Sequence, residues 1–327
     1  VVMKKNYTSK TQAYKLQPGS YIVGKWHKKT YRILKALGQG ATGTVYLAES
    51  NHRFVALKVG EDNMAIAAEV NVLKHFSKVQ GQVLGPSLLD VDDMQLFGKT
   101  ISFYAMEYLK GKDLLTFIRE RGHEWVAIFI VQLLGDLDRL HRVGWVFGDL
   151  KPDNLMIVGP PPRVRWFDVG GTTLFGRSIK EFTEFYDRGY WGLGTRKAEP
   201  SYDLFAVAMI MVNCYYPRRF DKKNDERPIQ QLKQAIGQQD GLRPFRHVLL
   251  QALQGKYKDA QMMRKDMMDV ISKQSSYEKQ SVEKRVVKQQ QRRRARTKRK
   301  ASYLVEIFLI STFLLLIYVL YLYGQLL

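Results

Sequence analysis

Six polar side chains arrive along the chain in an order that suits phosphoryl transfer. Lys58 ends the run Ala56-Leu57-Lys58, and Glu69 follows on helical spacing. Asp149, Lys151 and Asn154 share the loop Gly148-Asp149-Leu150-Lys151-Pro152-Asp153-Asn154, and Asp168 lies in Phe167-Asp168-Val169-Gly170. Moving a phosphoryl group needs an orienting base for the attacking hydroxyl, cations to neutralise oxygen charge and oxygen ligands for magnesium. All three kinds of group are present. Upstream, Gly38-Gln39-Gly40-Ala41-Thr42-Gly43-Thr44-Val45 spaces glycines so that a hairpin backbone approaches phosphate oxygens without a Cβ in the way. A dinucleotide-binding turn uses similar glycines but opens a helix, whereas here Val45, Tyr46 and Leu47 carry on as a strand.

The elements that must hold these groups are legible in the hydrophobic pattern. Strands are predicted around 31–37, 45–47, 54–59, 88–91 and 101–106, and a helix over 63–78 with Ile66, Val70, Leu73 and Phe76 on related faces. Beyond Gly111 helices dominate, at 124–143, 201–216 and 229–236, interrupted by a strand-rich island over 145–167. A strand-rich first part and a helical second part predict an α+β protein of two lobes. No repeat of 20 to 50 residues is present.

Taken together, the glycine loop, strand lysine, helix glutamate, Asp-x-Lys-Pro-x-Asn loop and Asp-x-Gly resemble the Hanks-type, or eukaryotic-like, protein kinases over roughly residues 24–271. The resemblance implies a two-lobed kinase fold with ATP and Mg2+ (or Mn2+) as cofactors and protein Ser/Thr hydroxyls as acceptors. It implies that Gly38, Gly40, Gly43, Val45 and Ala56 line the nucleotide, that Met106 backs the adenine pocket, and that Glu107 and Leu109 offer backbone bonds to the base. Lys58, paired with Glu69, holds the α and β phosphates; Asp149 orients the substrate hydroxyl; Lys151 neutralises the transferring group; Asn154 and Asp168 ligate the metal. Asp203 matches the family's buried aspartate beneath the catalytic loop, and Asp153 braces that loop. Hydroxyl candidates in the activation segment are Thr172, Thr173, Ser178, Thr183 and Thr195, with Thr195 expected beside Asp149 and Lys151. Two departures stand out: Phe147-Gly148-Asp149 replaces His-Arg-Asp, and Ala198-Glu199-Pro200 replaces Ala-Pro-Glu. Without that arginine, the site is not expected to depend on a phosphate on the segment. A closer resemblance, carried by 147–154, 168–173, 184–211 and the C-terminal region, is to sporulation-associated membrane kinases of bacilli.

Charge organises the rest of the chain. The 327 residues hold 52 Lys plus Arg against 31 Asp plus Glu, a formal net charge of +21, and one cysteine. A single thiol, Cys214, excludes an internal disulfide and a Cys-rich zinc site and fits a reducing compartment. Residues 273–300 carry 12 basic side chains against Glu278 and Glu283, so nearly half the surplus lies there. Lys284, Arg285, Lys288, Arg292, Arg293, Arg294, Arg296, Lys298, Arg299 and Lys300 form a run that suits DNA, read without sequence preference, or anionic lipid. Residues 307–327 then hold no charge and are long enough for a transmembrane helix. The basic flank predicts a single-pass cell-membrane protein with its kinase domain in the cytoplasm.

The expected organisation is therefore a basic N-terminal arm (1–24), an N-lobe (25–109), a C-lobe (110–272), a basic juxtamembrane linker (273–302) and a transmembrane helix (303–327). Clustering or a homodimer would favour autophosphorylation between copies. Two other functions fit parts of the pattern: a pseudokinase scaffold tethering nucleic acid to a membrane, against which the complete set of reactive groups argues, and a kinase of small molecules.

Overall fold

The computed structural model describes residues 16–40, 42–60, 62–78, 84–96, 98–223 and 226–325; side chains at 277–302, 304–305 and 321–325 lie outside the described part. A six-stranded antiparallel sheet comes first: β1 (Tyr21–Val23), β2 (Thr30–Gln39), β3 (Thr44–Ser50), β4 (Arg53–Gly60), then α1 (Asn63–Phe76), β5 (Leu88–Leu96) and β6 (Lys99–Glu107). Spatial order is β1-β2-β3-β4-β6-β5. The turn between β3 and β4 is two residues, Asn51 and His52, both at positive φ, the hairpin geometry that matches strand twist.

Period-2 alternation gives this sheet two different faces. Val55, Leu57 and Val59 of β4 join Tyr31, Ile33, Phe103 and Ala105 in an apolar cluster on one side. Ala56 and Lys58 therefore point the other way. Asp62 caps α1 by accepting from the N–H groups of Met64 and Ala65 at 2.9 and 3.1 Å. The arm expected over 1–24 enters the sheet at its end, since Tyr21–Val23 pairs with β2; Lys4, Lys5, Lys10 and Lys15 lie outside the described residues.

The helical part follows: β7 (Gly111–Asp113), α2 (Leu114–Arg121), α3 (Glu124–Arg142), β8 (Trp145–Val146), β9 (Leu155–Val158), β10 (Arg163–Trp166), β11 (Thr173–Leu174), α4 (Arg188–Trp191), α5 (Pro200–Cys214), α6 (Pro228–Gln238) and α7 (Arg246–Leu253). α5 is apolar almost all round and buried from Tyr202 to Cys214, so it forms the centre of this part. Cys214 lies at its end, its thiol pushed up to about 12 by burial, which leaves it a packing residue and not a nucleophile at neutral pH.

α8 (Ala260–Gln325) is a single helix of 66 residues. The chain divides into two compact units, Val1–Met268 and Asp269–Leu327, and the second consists of the continuation of α8. The segment read as a linker thus has a helical backbone. Among the described residues, no helix is long and apolar enough to cross a membrane. The apolar stretch whose side chains are described, 307–320, covers only about 21 Å at 1.5 Å per residue, and the expected span runs on into 321–327, outside the described part.

Candidate active site

Lys58, turned away from the apolar cluster by strand alternation, meets Glu69 from the inner face of α1. Its ammonium lies 2.7 Å from both carboxylate oxygens. The Thr42 hydroxyl donates to one oxygen at 2.8 Å and the Tyr104 hydroxyl to the other at 2.7 Å. Both charges are buried, a setting tolerable only when remaining lone pairs are satisfied, and here they are. Burial and the neighbouring Glu69 carboxylate push the Tyr104 phenol well above its ordinary value, so it serves as a permanent donor. Asp168 approaches Lys58 at 3.9 Å and keeps about half of its side chain open.

The glycine loop divides by role. A Cβ on Gly43 would lie 2.2 Å from the Val59 carbonyl oxygen, so glycine is required there by packing. At Gly38 and Gly40 a Cβ meets nothing closer than 3.9 Å, leaving room above the loop. Val45 is half-buried beside them and Ala56 is buried.

The catalytic loop hangs from Asp203 in the first turn of α5. Its carboxylate, fully buried, accepts from the N–H of Phe147 at 2.8 Å and of Gly148 at 2.9 Å, with His141 Nε2 2.9 Å away. Asp149 is held over this platform, in contact with the Lys151 ammonium. Asn154 donates its amide nitrogen to the Asp149 carbonyl at 2.8 Å, which fixes the amide and leaves its oxygen as an acceptor. Asp153 turns outward to Arg219 at 2.5 Å.

Thr183, not Thr195, closes the group. Its hydroxyl donates to Asp149 Oδ1 at 3.2 Å and accepts from Lys151 at 3.3 Å. The expectation for Thr195 is corrected by the path of the segment: α4 intervenes, and Arg188 takes the Thr195 carbonyl at 2.6 Å, holding that residue at the exposed surface. Thr172 and Thr173 are fully buried, Ser178 is exposed and backbone-paired with Lys197. Two ion pairs shape the segment: Arg188 to Glu199 at 2.8 Å and Arg196 to Asp187 at 2.7 Å. Ile179 and Ala198 pack with Val146 and Tyr202 beneath it.

Glu181 is a site residue the sequence reading missed. It lies exposed on the segment two residues before Thr183; partial desolvation, then the charges of Asp168 and Asp149, push its carboxyl up from the ordinary value. No motif marks it. Among the described residues no three His, Cys, Asp or Glu gather as a metal cluster. A magnesium site of the phosphate-bound kind needs only one or two protein oxygens, since phosphates complete the shell. The Asp168 carboxylate and the Asn154 amide oxygen fit that donor set.

Met106 and Leu109 are buried behind this region. Between them Glu107 donates its N–H to the Ser87 carbonyl at 2.8 Å. Its carboxylate accepts from Arg165 of β10 at 2.9 and 3.0 Å. Burial alone would raise this carboxyl, but the bonds from Arg165 and Ser87 outweigh it and hold it below the usual range. The basic residues 284–300 have their side chains outside the described part.

A buried lysine–glutamate pair between sheet and helix, with Asp149, Lys151, Asn154 and Asp168 facing it from the helical part, defines a nucleotide-dependent phosphotransferase. The chain belongs to the protein kinase family: the model of the protein kinase domain matches residues 31–298. It is 52% identical over 272 residues to the serine/threonine-protein kinase YabT of Bacillus subtilis (strain 168), covering 83% of this chain and 80% of that one. A probable serine/threonine-protein kinase of Clostridium perfringens is 30% identical over 145 residues, 42% of this chain and 21% of the relative. The yeast kinase RIM15 is 32% identical over 140 residues, 39% of this chain and 8% of the relative.

Proposed function

We propose that this chain is a membrane-anchored serine/threonine protein kinase that transfers the γ-phosphoryl group of ATP to protein hydroxyls, its own included. The observation that carries the reading is the completed Lys58–Glu69 pair, with Asp149 and Lys151 already joined to a segment hydroxyl. Lys58, fixed by Glu69, places a positive charge where the α and β phosphates lie. Asp149, positioned through the Asp203 platform, accepts the hydrogen bond of the incoming hydroxyl and orients its lone pair. Lys151 offsets negative charge on the transferring group, and Asn154 and Asp168 would hold magnesium, which when bound neutralises phosphate oxygens. Thr183, bonded to both Asp149 and Lys151, fixes the segment against which an acceptor peptide lies.

Anchoring rests on the uncharged run 307–327 and on the exposure of its described side chains, from 47% to 66% for the large apolar residues between Ile307 and Leu320. Regulation by a polyanion rests on ten basic residues with no acid across 284–300. DNA phosphates would gather several copies and favour transfer between them. Incubation with labelled ATP and magnesium tests the core of the reading: label on the protein, lost in Lys58→Ala and Asp149→Asn, is expected. Transfer only to a small hydroxyl compound would favour a small-molecule kinase. Stimulation by duplex DNA at low salt, lost when the arginines of 284–300 are neutralised, tests the regulation.

A further inference from the structure

The tip of the glycine loop has little around it to hold it in place. A Cβ built on Gly38 meets nothing within 4 Å, and one on Gly40 meets the Gly43 carbonyl oxygen at 3.9 Å. The tip closes on itself, the Gly40 N–H donating to the Gly43 carbonyl at 2.9 Å. Its return limb, by contrast, lies against the end of β4. There a Cβ on Gly60 would fall 2.4 Å from the Thr42 carbonyl oxygen.

That approach brings the Thr42 side chain within reach of α1. Its hydroxyl donates to Glu69 Oε1 at 2.8 Å, the oxygen that also receives the Lys58 ammonium at 2.7 Å. Among the described residues this is the one side-chain hydrogen bond between the tip, 38–43, and the rest of the protein. Glu69 is 3% exposed, so little water stands ready to replace the hydroxyl. Lifting the loop therefore takes a donor from a buried carboxylate, and a hydrogen bond to a charged group is worth about tenfold or more in an equilibrium constant. The Tyr104 hydroxyl, on the other oxygen at 2.7 Å, comes from β6 and stays where it is when the loop moves. The two hydroxyls thus differ in what they join: Tyr104 ties Glu69 to the sheet, Thr42 ties it to the loop.

We propose that Thr42 is a positioning residue for phosphoryl transfer, its hydroxyl tying the glycine loop to the Lys58–Glu69 pair and holding the loop lowered before nucleotide arrives. The inference rests on the kinase reading and adds a residue that the glycine spacing does not call for. A loop ordered in advance loses less freedom when the phosphates bind, which raises nucleotide affinity. The same bond couples the loop to α1, since a Glu69 turned away from Lys58 would release the loop as well.

Hydrogen–deuterium exchange of the full chain, without nucleotide, tests the tether. In Thr42→Val, which keeps the shape and loses the donor, the loop amides from 38 to 45 should exchange at least about fivefold faster, while those of α5 keep their rate. Thr42→Ser, which restores a hydroxyl, should bring loop exchange back to within about twofold of the unaltered protein, and Tyr104→Phe should leave it within about twofold. Calorimetry with a nonhydrolysable ATP analogue and magnesium should show affinity lowered at least about threefold in Thr42→Val and recovered in Thr42→Ser. Unchanged exchange or unchanged affinity in Thr42→Val, no recovery in Thr42→Ser, or equal acceleration by Tyr104→Phe would overturn the proposal. No binding of the analogue by the unaltered protein would count against the kinase reading instead, and the exchange measurement, which needs no nucleotide, would still decide on the tether.

Discussion

The Lys58–Glu69 pair and the two pairs of the activation segment use the same chemistry in opposite settings. Lys58 and Glu69 are buried at both ends, whereas each segment pair has one buried end, Arg188 or Asp187, and one half-exposed end, Glu199 or Arg196. The first joins a sheet strand to a helix that packs against that sheet. The second is a clasp: two adjacent buried residues seize a strap that water also reaches. Where relatives in the family use an arginine before the catalytic aspartate, this chain has Gly148, and the clasp orders the segment from within.

The comparison predicts unequal losses. Lys58→Met should lower kcat by about a hundredfold to a thousandfold while the protein stays folded, since it removes a charge aimed at phosphate oxygens. Equal activity would break the assignment. Arg188→Ala should cost about 1–3 kcal/mol in denaturant unfolding, because the Thr195 carbonyl and Glu199 lose a donor. It should also raise KM for a protein acceptor far more than KM for ATP. Glu199→Gln, at the wet end of the same pair, should cost about 0.5 kcal/mol or less; losses of the same size at both ends would erase the difference between anchor and strap. Thr183→Ala should lower kcat severalfold where Thr195→Ala leaves it nearly unchanged, and the reverse pattern would restore the sequence-based choice.

The smallest effect concerns acid stability where β5 meets the segment joining β1 to β2. Asp92 accepts from the N–H groups of Trp26 and His27, and Asp90 from Tyr31. Burial tends to raise both carboxyls, but these bonds outweigh it and hold both below the ordinary value. Their contribution is therefore present above the unfolded value, about pH 3.9, and is lost as pH falls through the lower folded values. Asp92→Asn should flatten the acid-unfolding curve followed by tryptophan fluorescence; an unchanged curve would assign that sensitivity elsewhere.

Groups whose type and spacing are dictated by chemistry were legible in the sequence: Lys58, Glu69, Asp149, Lys151, Asn154 and Asp168 come together as their order implies. Asp203 was legible through the family resemblance, which implies a buried aspartate beneath the catalytic loop, and its carboxylate does accept from Phe147 and Gly148 there. Thr183 and Thr195 were not separable, because both are hydroxyls on one segment and only its path decides which reaches Asp149. Glu181 left no trace, as its role depends on which charges the fold brings near. The helical backbone of the linker expected over 273–302 was not read, because charge was weighed over propensity. Between Ala260 and Tyr323 there is neither proline nor glycine, and the basic run is rich in Lys, Arg and Gln, all good helix formers.

Gly148 bears on how this enzyme's control could change over time. Its φ is +86°, and a Cβ there would fall 2.6 Å from the Gly171 carbonyl oxygen. Gly148→Arg, which would restore the arginine of the His-Arg-Asp pattern though not its histidine, thus meets a backbone barrier before the guanidinium reaches anything. Phosphate-dependent control of that kind is therefore not reached by that replacement alone. Reaching it requires the Gly171 turn to move as well, so the two positions should change together or not at all.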